Sequence, residues 1–309
     1  MTFYTGIYRM RRYLLLFLLT LLIAGLAPSE AQKIDPLTGK VTEQAPEPEP
    51  EAPVAADLTK ANELVRKQKY AEAETLLAEL QLEFPEDDRL LTMRGELLVA
   101  LGKPKEAIPI LTKVTELAPE RDRVRFQLGS ALASTGDPEA ALEAFGGELD
   151  VSKDPQVRIL SHLNRSALFQ QKRAWSDAAA ELTSALELDP SQKRGWTDLS
   201  SLRLEADDLE GAVAALEKAA SFGYESVSHY YSVGARFYKE ESYDRAISYF
   251  EKVLEIDKNH SRAVRSMAAS LEESGNSSAS IAQWKRYLEL APDADDADSV
   301  RQRIAALSK

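Results

Sequence analysis

The chain has 309 residues, of which 28% are charged and 44% hydrophobic, and its formal net charge is −12. It has no cysteine, which excludes disulfides, thiolate metal sites, a cysteine nucleophile and a cysteine-linked lipid anchor. Its three histidines, His162, His229 and His260, share no metal-ligand spacing, and an acidic chain repels phosphate backbones, so no metal, no cofactor and no nucleic acid is expected as a ligand.

The first segment has the layout of a secretory signal. Arg9, Arg11 and Arg12 precede the apolar run "YLLLFLLTLLIAGL" at 13–26, and "SEA" at 29–31 places small residues around a cleavage site. The run is shorter than the roughly 20 residues a spanning helix needs. Residues 1–31 are therefore expected to be a signal peptide and the rest to be exported, periplasmic or secreted. The alternative keeps 13–26 as a membrane anchor. Residues 32–54 carry prolines at 36, 46, 48, 50 and 53 with alternating glutamates, the composition of an extended linker of polyproline type.

The next 240 or so residues are periodic. In "SYDRAISYFEKVLEIDKNH" (242–260), Tyr243, Ala246, Phe250 and Val253 fall on one helical face. Similar stretches occur at 69–87, 104–122, 175–193 and 278–296. Aligned on one small residue they give Ala73, Ala107, Ala141, Ala178, Ala212, Ala246 and Ser280. All steps are 34 except one of 37, between Ala141 and Ala178. A second small-residue series runs twelve positions earlier: Ala61, Gly95, Gly129, Ser166, Ser200, Gly234 and Ala268. A fixed period of this length denotes a stacked repeat array. Each unit reads as two antiparallel helices whose axes approach at the small residues. Gly102, Gly136 and Gly275 stand where the first helix ends, Pro104 and Pro138 open the second, and Pro85, Pro119, Pro190 and Pro292 follow it. A hairpin of this kind leaves an apolar stripe that only the next hairpin covers.

The period, the small–aromatic pattern and the "LELDP" exits resemble the tetratricopeptide repeat. The resemblance implies an all-α fold: an α-solenoid of about seven helix-turn-helix units across 55–294, wound as a right-handed superhelix. Residues 295–309 are expected to form a C-terminal capping helix, with the Asp cluster of "DADDADS" at its positive N-terminus and Val300, Ile304 and Leu307 against the last repeat. The cluster lacks the glycine and glutamate of a calcium loop. The irregular step contains Gly146 and Gly147, which predict an early helix end or a bend that divides the array.

Family members hold a peptide or partner helix on the face lined by the first helices. Carried over to this sequence, the partner-binding groove comprises Arg194, Thr197, Asp198, Tyr231, Tyr238, Arg262 and Arg265. Arginines fork onto carboxylates and tyrosines give flat amphipathic contacts, so a carboxylate-bearing protein segment is the expected partner. The Lys–Asn clamp of the chaperone-binding members is absent, because Leu58 stands where its lysine belongs. No catalytic constellation is visible. His162 reads as a packing residue, and the acidic residues read as a solvated exterior with no partners to shift them. The function expected is a non-enzymatic, exported scaffold for protein–protein interaction in bacterial envelope assembly or secretion. The alternative is a membrane-anchored organiser that self-associates through its outer face.

Overall fold

The computed structural model describes residues 54–309, so the signal peptide, the possible anchor at 13–26 and most of the linker lie outside the described residues. Among the described residues there are fifteen helices and no strand. They are α1 (Ala55–Arg66), α2 (Tyr70–Glu83), α3 (Asp88–Ala100), α4 (Pro104–Leu117), α5 (Val124–Thr135), α6 (Pro138–Val151) and α7 (Pro155–Gln171). There follow α8 (Trp175–Leu188), α9 (Lys193–Glu205), α10 (Leu209–Ser221), α11 (Val227–Lys239), α12 (Tyr243–Ile256), α13 (Ser261–Glu273), α14 (Ser277–Leu290) and α15 (Ala297–Leu307). None is long and apolar enough to cross a membrane. The chain divides into two compact units, one ending at Val157 and one running from Arg158 to Lys309. Each is a stack of hairpins. In the first, α2 packs on α3 and α4 on α5; in the second, α8 packs on α9, α10 on α11, α12 on α13 and α14 on α15.

The small residues mark where paired helices touch. A Cβ on Gly129 would lie 2.9 Å from the Phe145 ring, and one on Gly234 would lie 2.9 Å from the Phe250 ring. Gly95 faces Leu111 in the same register. The aromatic rings at these contacts are fully buried, and each such side chain stabilises by roughly 1.5–3 kcal/mol. Where the small residue is a serine, its hydroxyl reaches across the hairpin. Ser166 donates to the Ala178 carbonyl (2.8 Å), and Ser280 donates to that of Ala268 (2.9 Å). The buried hydroxyl of Ser200 finds no partner among the described residues, and the structure gives no physical reason for it.

All seven hairpin turns have one geometry. A residue with positive φ stands at Gln68, Gly102, Gly136, Arg173, Asp207, Glu241 and Gly275. The next amide donates to a carbonyl five residues back, for example Lys69 to Leu64 (2.9 Å), Ala174 to Phe169 (2.9 Å) and Asn276 to Leu271 (2.8 Å). This is the Schellman closure, which satisfies the last carbonyls of the first helix. Sequence signals it only at the three glycines. At the other four turns a side chain is held in the left-handed region at a cost of roughly 1 kcal/mol each, which the packing of the hairpin offsets.

The carbonyl beyond each second helix is also met by the following repeat at several junctions. Lys113 Nζ donates to the Pro85 carbonyl (2.8 Å) and Trp196 Nε1 to that of Pro190 (2.9 Å). Arg125 reaches the Pro119 carbonyl and Arg286 that of Lys258. The Lys and Arg donors place a cation at the negative end of a helix.

At the irregular step the expected division is present, since the boundary of the two units at Val157 falls between the third and fourth repeats, but the expected early helix end is not. No helix ends at Gly146–Gly147: α6 runs unbroken to Val151. Gly147 is a contact glycine, since a Cβ there would lie 2.9 Å from Arg125 Cδ. Immediately after it, the fully buried Glu148 accepts the Arg123 amide (2.7 Å) and the Phe126 amide (3.0 Å). Its carboxylate thereby caps the N-terminus of α5, which has no side-chain cap of its own. These contacts hold the helix past the two glycines. The added residues instead lengthen α7, which has 17 residues where the other first helices have 12 or 13.

The two classes of glycine respond differently to substitution. Gly129→Val forces the Phe145 ring aside and should cost about 2 kcal/mol, part of which Phe145→Leu restores. Gly136→Ala meets no neighbour but strains a residue at φ 89°; it should cost about 1 kcal/mol, and Phe145→Leu should not relieve it. Urea unfolding midpoints of the four variants check both statements.

Candidate functional site

The predicted groove residues lie on three first helices of the second unit. Arg194, Thr197 and Asp198 are on α9, Tyr231 and Tyr238 on α11, and Arg262 and Arg265 on α13. α9 contacts α11, and α11 contacts α13, so the three positions are neighbours along one row.

Within that row the residues have unequal roles. Arg194 and Arg262 are exposed and make no ion pair among the described residues. Asp198 is exposed, one turn from Arg194 on the same helix. Tyr238 is half-buried, edge-on to Tyr243 with ring centroids 5.6 Å apart.

Thr197 is 1% exposed, and its hydroxyl donates to the Arg194 carbonyl (2.8 Å). It is therefore a packing residue with no surface to offer, which corrects the sequence expectation. Tyr231 is a wedge between repeats. Its ring is 5.6 Å from both the Phe250 and the His260 rings, and its hydroxyl is 3.2 Å from Ser266 Oγ. His260 starts α13 by accepting the Ala263 amide at Nδ1 (3.1 Å).

Arg265 is engaged already. Its Nε donates to Asp296 Oδ2 (2.7 Å), and the other oxygen of that carboxylate accepts the Tyr287 hydroxyl (2.8 Å). Burial alone would raise Asp296, but these bonds outweigh it and hold the carboxyl below its ordinary range. Asp296 stands at the N-cap position of α15 yet makes no cap hydrogen bond, so the expected capping role passes to an ion pair. Sequence reasoning missed Tyr287 and Asp296. The available signal was spacing: Arg265 and Asp296 are 31 residues apart, as are the paired Arg123 and Asp154.

Several carboxylates are perturbed, contrary to the reading of the acidic residues as an unshifted exterior. Glu181 accepts His162 Nδ1 and Arg165 Nε, each at 2.7 Å; burial raises its carboxyl, and the two partners more than offset that. Burial also raises Glu148 despite the two amides it caps. In the first unit, burial pushes half-buried Glu96 up to about 7, against the opposing charges of Arg123 and Arg121. A carboxyl raised on folding makes the native state take up a proton more readily, so its contribution to stability falls as pH rises from about 4.5 to about 7. Glu96→Gln should raise stability by about 2 kcal/mol above pH 7 and lose that advantage near pH 4. Thermal unfolding across this range checks the sign.

Profiles of the tetratricopeptide repeat match residues 58–120, 92–150 and 165–226, and a second profile of the same description matches 230–260. No curated protein matches the chain. Among solved structures, the Naa15/Naa10 complex bound to HypK-THB superposes with a TM-score of 0.64 at 14% identity, over 82% of this chain and 39% of that one. The C-terminal part of a repeat-containing protein from Cytophaga hutchinsonii gives 0.54 at 16% identity, over 78% and 98%. MamA from Desulfovibrio magneticus RS-1 gives 0.46 at 18%, over 54% and 93%. At these identities the likeness concerns the fold alone. The matched profile segments span half of the sequence, and the chain belongs to the tetratricopeptide repeat family.

Proposed function

We propose that the chain is an exported, non-enzymatic scaffold in envelope assembly or secretion. On this reading the second unit presents Arg194, Tyr238 and Arg262 to an acidic segment of a partner protein. The observation that carries it is the pair of exposed arginines, unpaired among the described residues, on first helices that flank a tyrosine-bearing helix. Arginine and tyrosine are also the side chains that most often anchor interfaces. Three of the perturbed carboxylates have structural explanations: Glu148 is a helix cap, Glu181 holds His162 and Arg165, and Asp296 holds Arg265 and Tyr287. Export is supported by the arginines, apolar run and small residues of 1–31.

The chain recovered from the cell envelope should begin at Gln32. In titrations with a dye-labelled peptide of alternating Glu and Ala, Arg194→Glu/Arg262→Glu should weaken binding by at least tenfold, the loss of about 1.4 kcal/mol. The matching Gln-Ala peptide should bind neither form. Equal affinity of the native and variant chains for the acidic peptide would remove the site, and a chain that starts at Met1 would remove cleavage.

A further inference from the structure

The carboxylate already seated on Arg265 comes from the chain itself. Asp296 begins α15, where an aspartate would ordinarily accept helix amides. Its two oxygens instead go to Arg265 Nε (2.7 Å) and the Tyr287 hydroxyl (2.8 Å). This is the chemistry of a bound ligand: a guanidinium on one oxygen, a phenol on the other, and Tyr231 hydrogen-bonded to Ser266 beside them. The pair is open to water, with the Arg265 side chain 50% exposed and that of Asp296 30% exposed. The helix behind it buries few residues, and Arg303 ties it to Glu272 (3.5 Å) and lies over the Trp284 ring. Of α15 only Ala297 and Val300 are buried, with Ile304 and Leu307 half-buried on the last repeat. Terminal elements with so few buried contacts open at low free energy.

We propose that Arg265 and Tyr287 form a carboxylate receptor that Asp296 occupies in cis, so that the C-terminal segment competes with the acidic ligand of the groove. The inference rests on the reading of the preceding subsection. The row of groove cations then runs Arg194, Arg262, Arg265, with the last closed until an incoming carboxylate displaces Asp296. An internal competitor lowers apparent affinity by the fraction of molecules in which the site is free. An exposed ion pair of this kind corresponds to a factor of about three to five.

The test uses the full exported chain and the labelled Glu-Ala peptide. Asp296→Asn should bind the peptide about three- to fivefold more tightly. Asp295→Asn makes the same charge change at an exposed neighbour and should leave affinity as it was. In an Arg265→Gln background, Asp296→Asn should bring no gain. Without peptide, Asp296→Asn should speed amide exchange in 297–307, whereas Asp295→Asn should not. If the native chain binds the peptide and Asp296→Asn neither tightens binding nor speeds exchange, the competitor is overturned and the acidic-segment reading stands. If no form binds the peptide, that reading falls and the competitor falls with it, even where exchange in 297–307 is altered.

Discussion

The structure depends on the distance at which two helices of a hairpin can pack. Gly95, Gly129 and Gly234 leave no room for a Cβ, because Leu111, Phe145 and Phe250 press directly on them. A backbone met by a large side chain fixes both the crossing point and the register of the pair. Once that is fixed, each hairpin has a buried inner seam and a second apolar stripe that it cannot shelter. Only another hairpin of the same shape covers that stripe, so a stack forms and its members are stabilised chiefly by nearest neighbours. The Schellman turns follow from the same constraint. Helices this close must reverse within a few residues, and the reversal requires a left-handed residue even where sequence supplies Gln68, Arg173, Asp207 or Glu241.

Polar side chains finish what packing leaves open. Exit carbonyls are met by Lys113, Arg125, Trp196 or Arg286 from the next repeat. The α5 amides are met by the buried carboxylate of Glu148. Each uses a side chain of a neighbouring helix to satisfy a helix end, which ties neighbouring hairpins together by hydrogen bonds as well as by apolar area. The proposed binding row is what remains on the first helices when these demands have been met. Arg194 and Arg262 make no ion pair among the described residues, and Arg265 makes one because the C-terminal helix brings a carboxylate to it.

The period, the paired helices and the glycine turns were legible because each is written in residues a fixed distance apart. Three features were not. The continuous helix across Gly146–Gly147 depends on Glu148 reaching α5, a tertiary cap that local propensity cannot see. The burial of Thr197 depends on where α9 meets its neighbours, since a threonine suits a surface and a seam equally. The state of Arg265 depends on Asp296, which sequence pattern assigned to helix capping; that role and the ion pair use the same side chain. The family resemblance proposed a row on the first helices, but neither it nor residue type could separate cations without an ion pair from the one that Asp296 occupies.

Nearest-neighbour stacking is the central claim, and native-state hydrogen exchange tests it most directly. Phe250→Ala removes the ring that seats on Gly234 and opens a cavity within the second unit. The account predicts that protection falls most in α11 and α12, less in α10 and α13, and least in α8. Uniform loss of protection across 158–309, or loss confined to α12 alone, would contradict it.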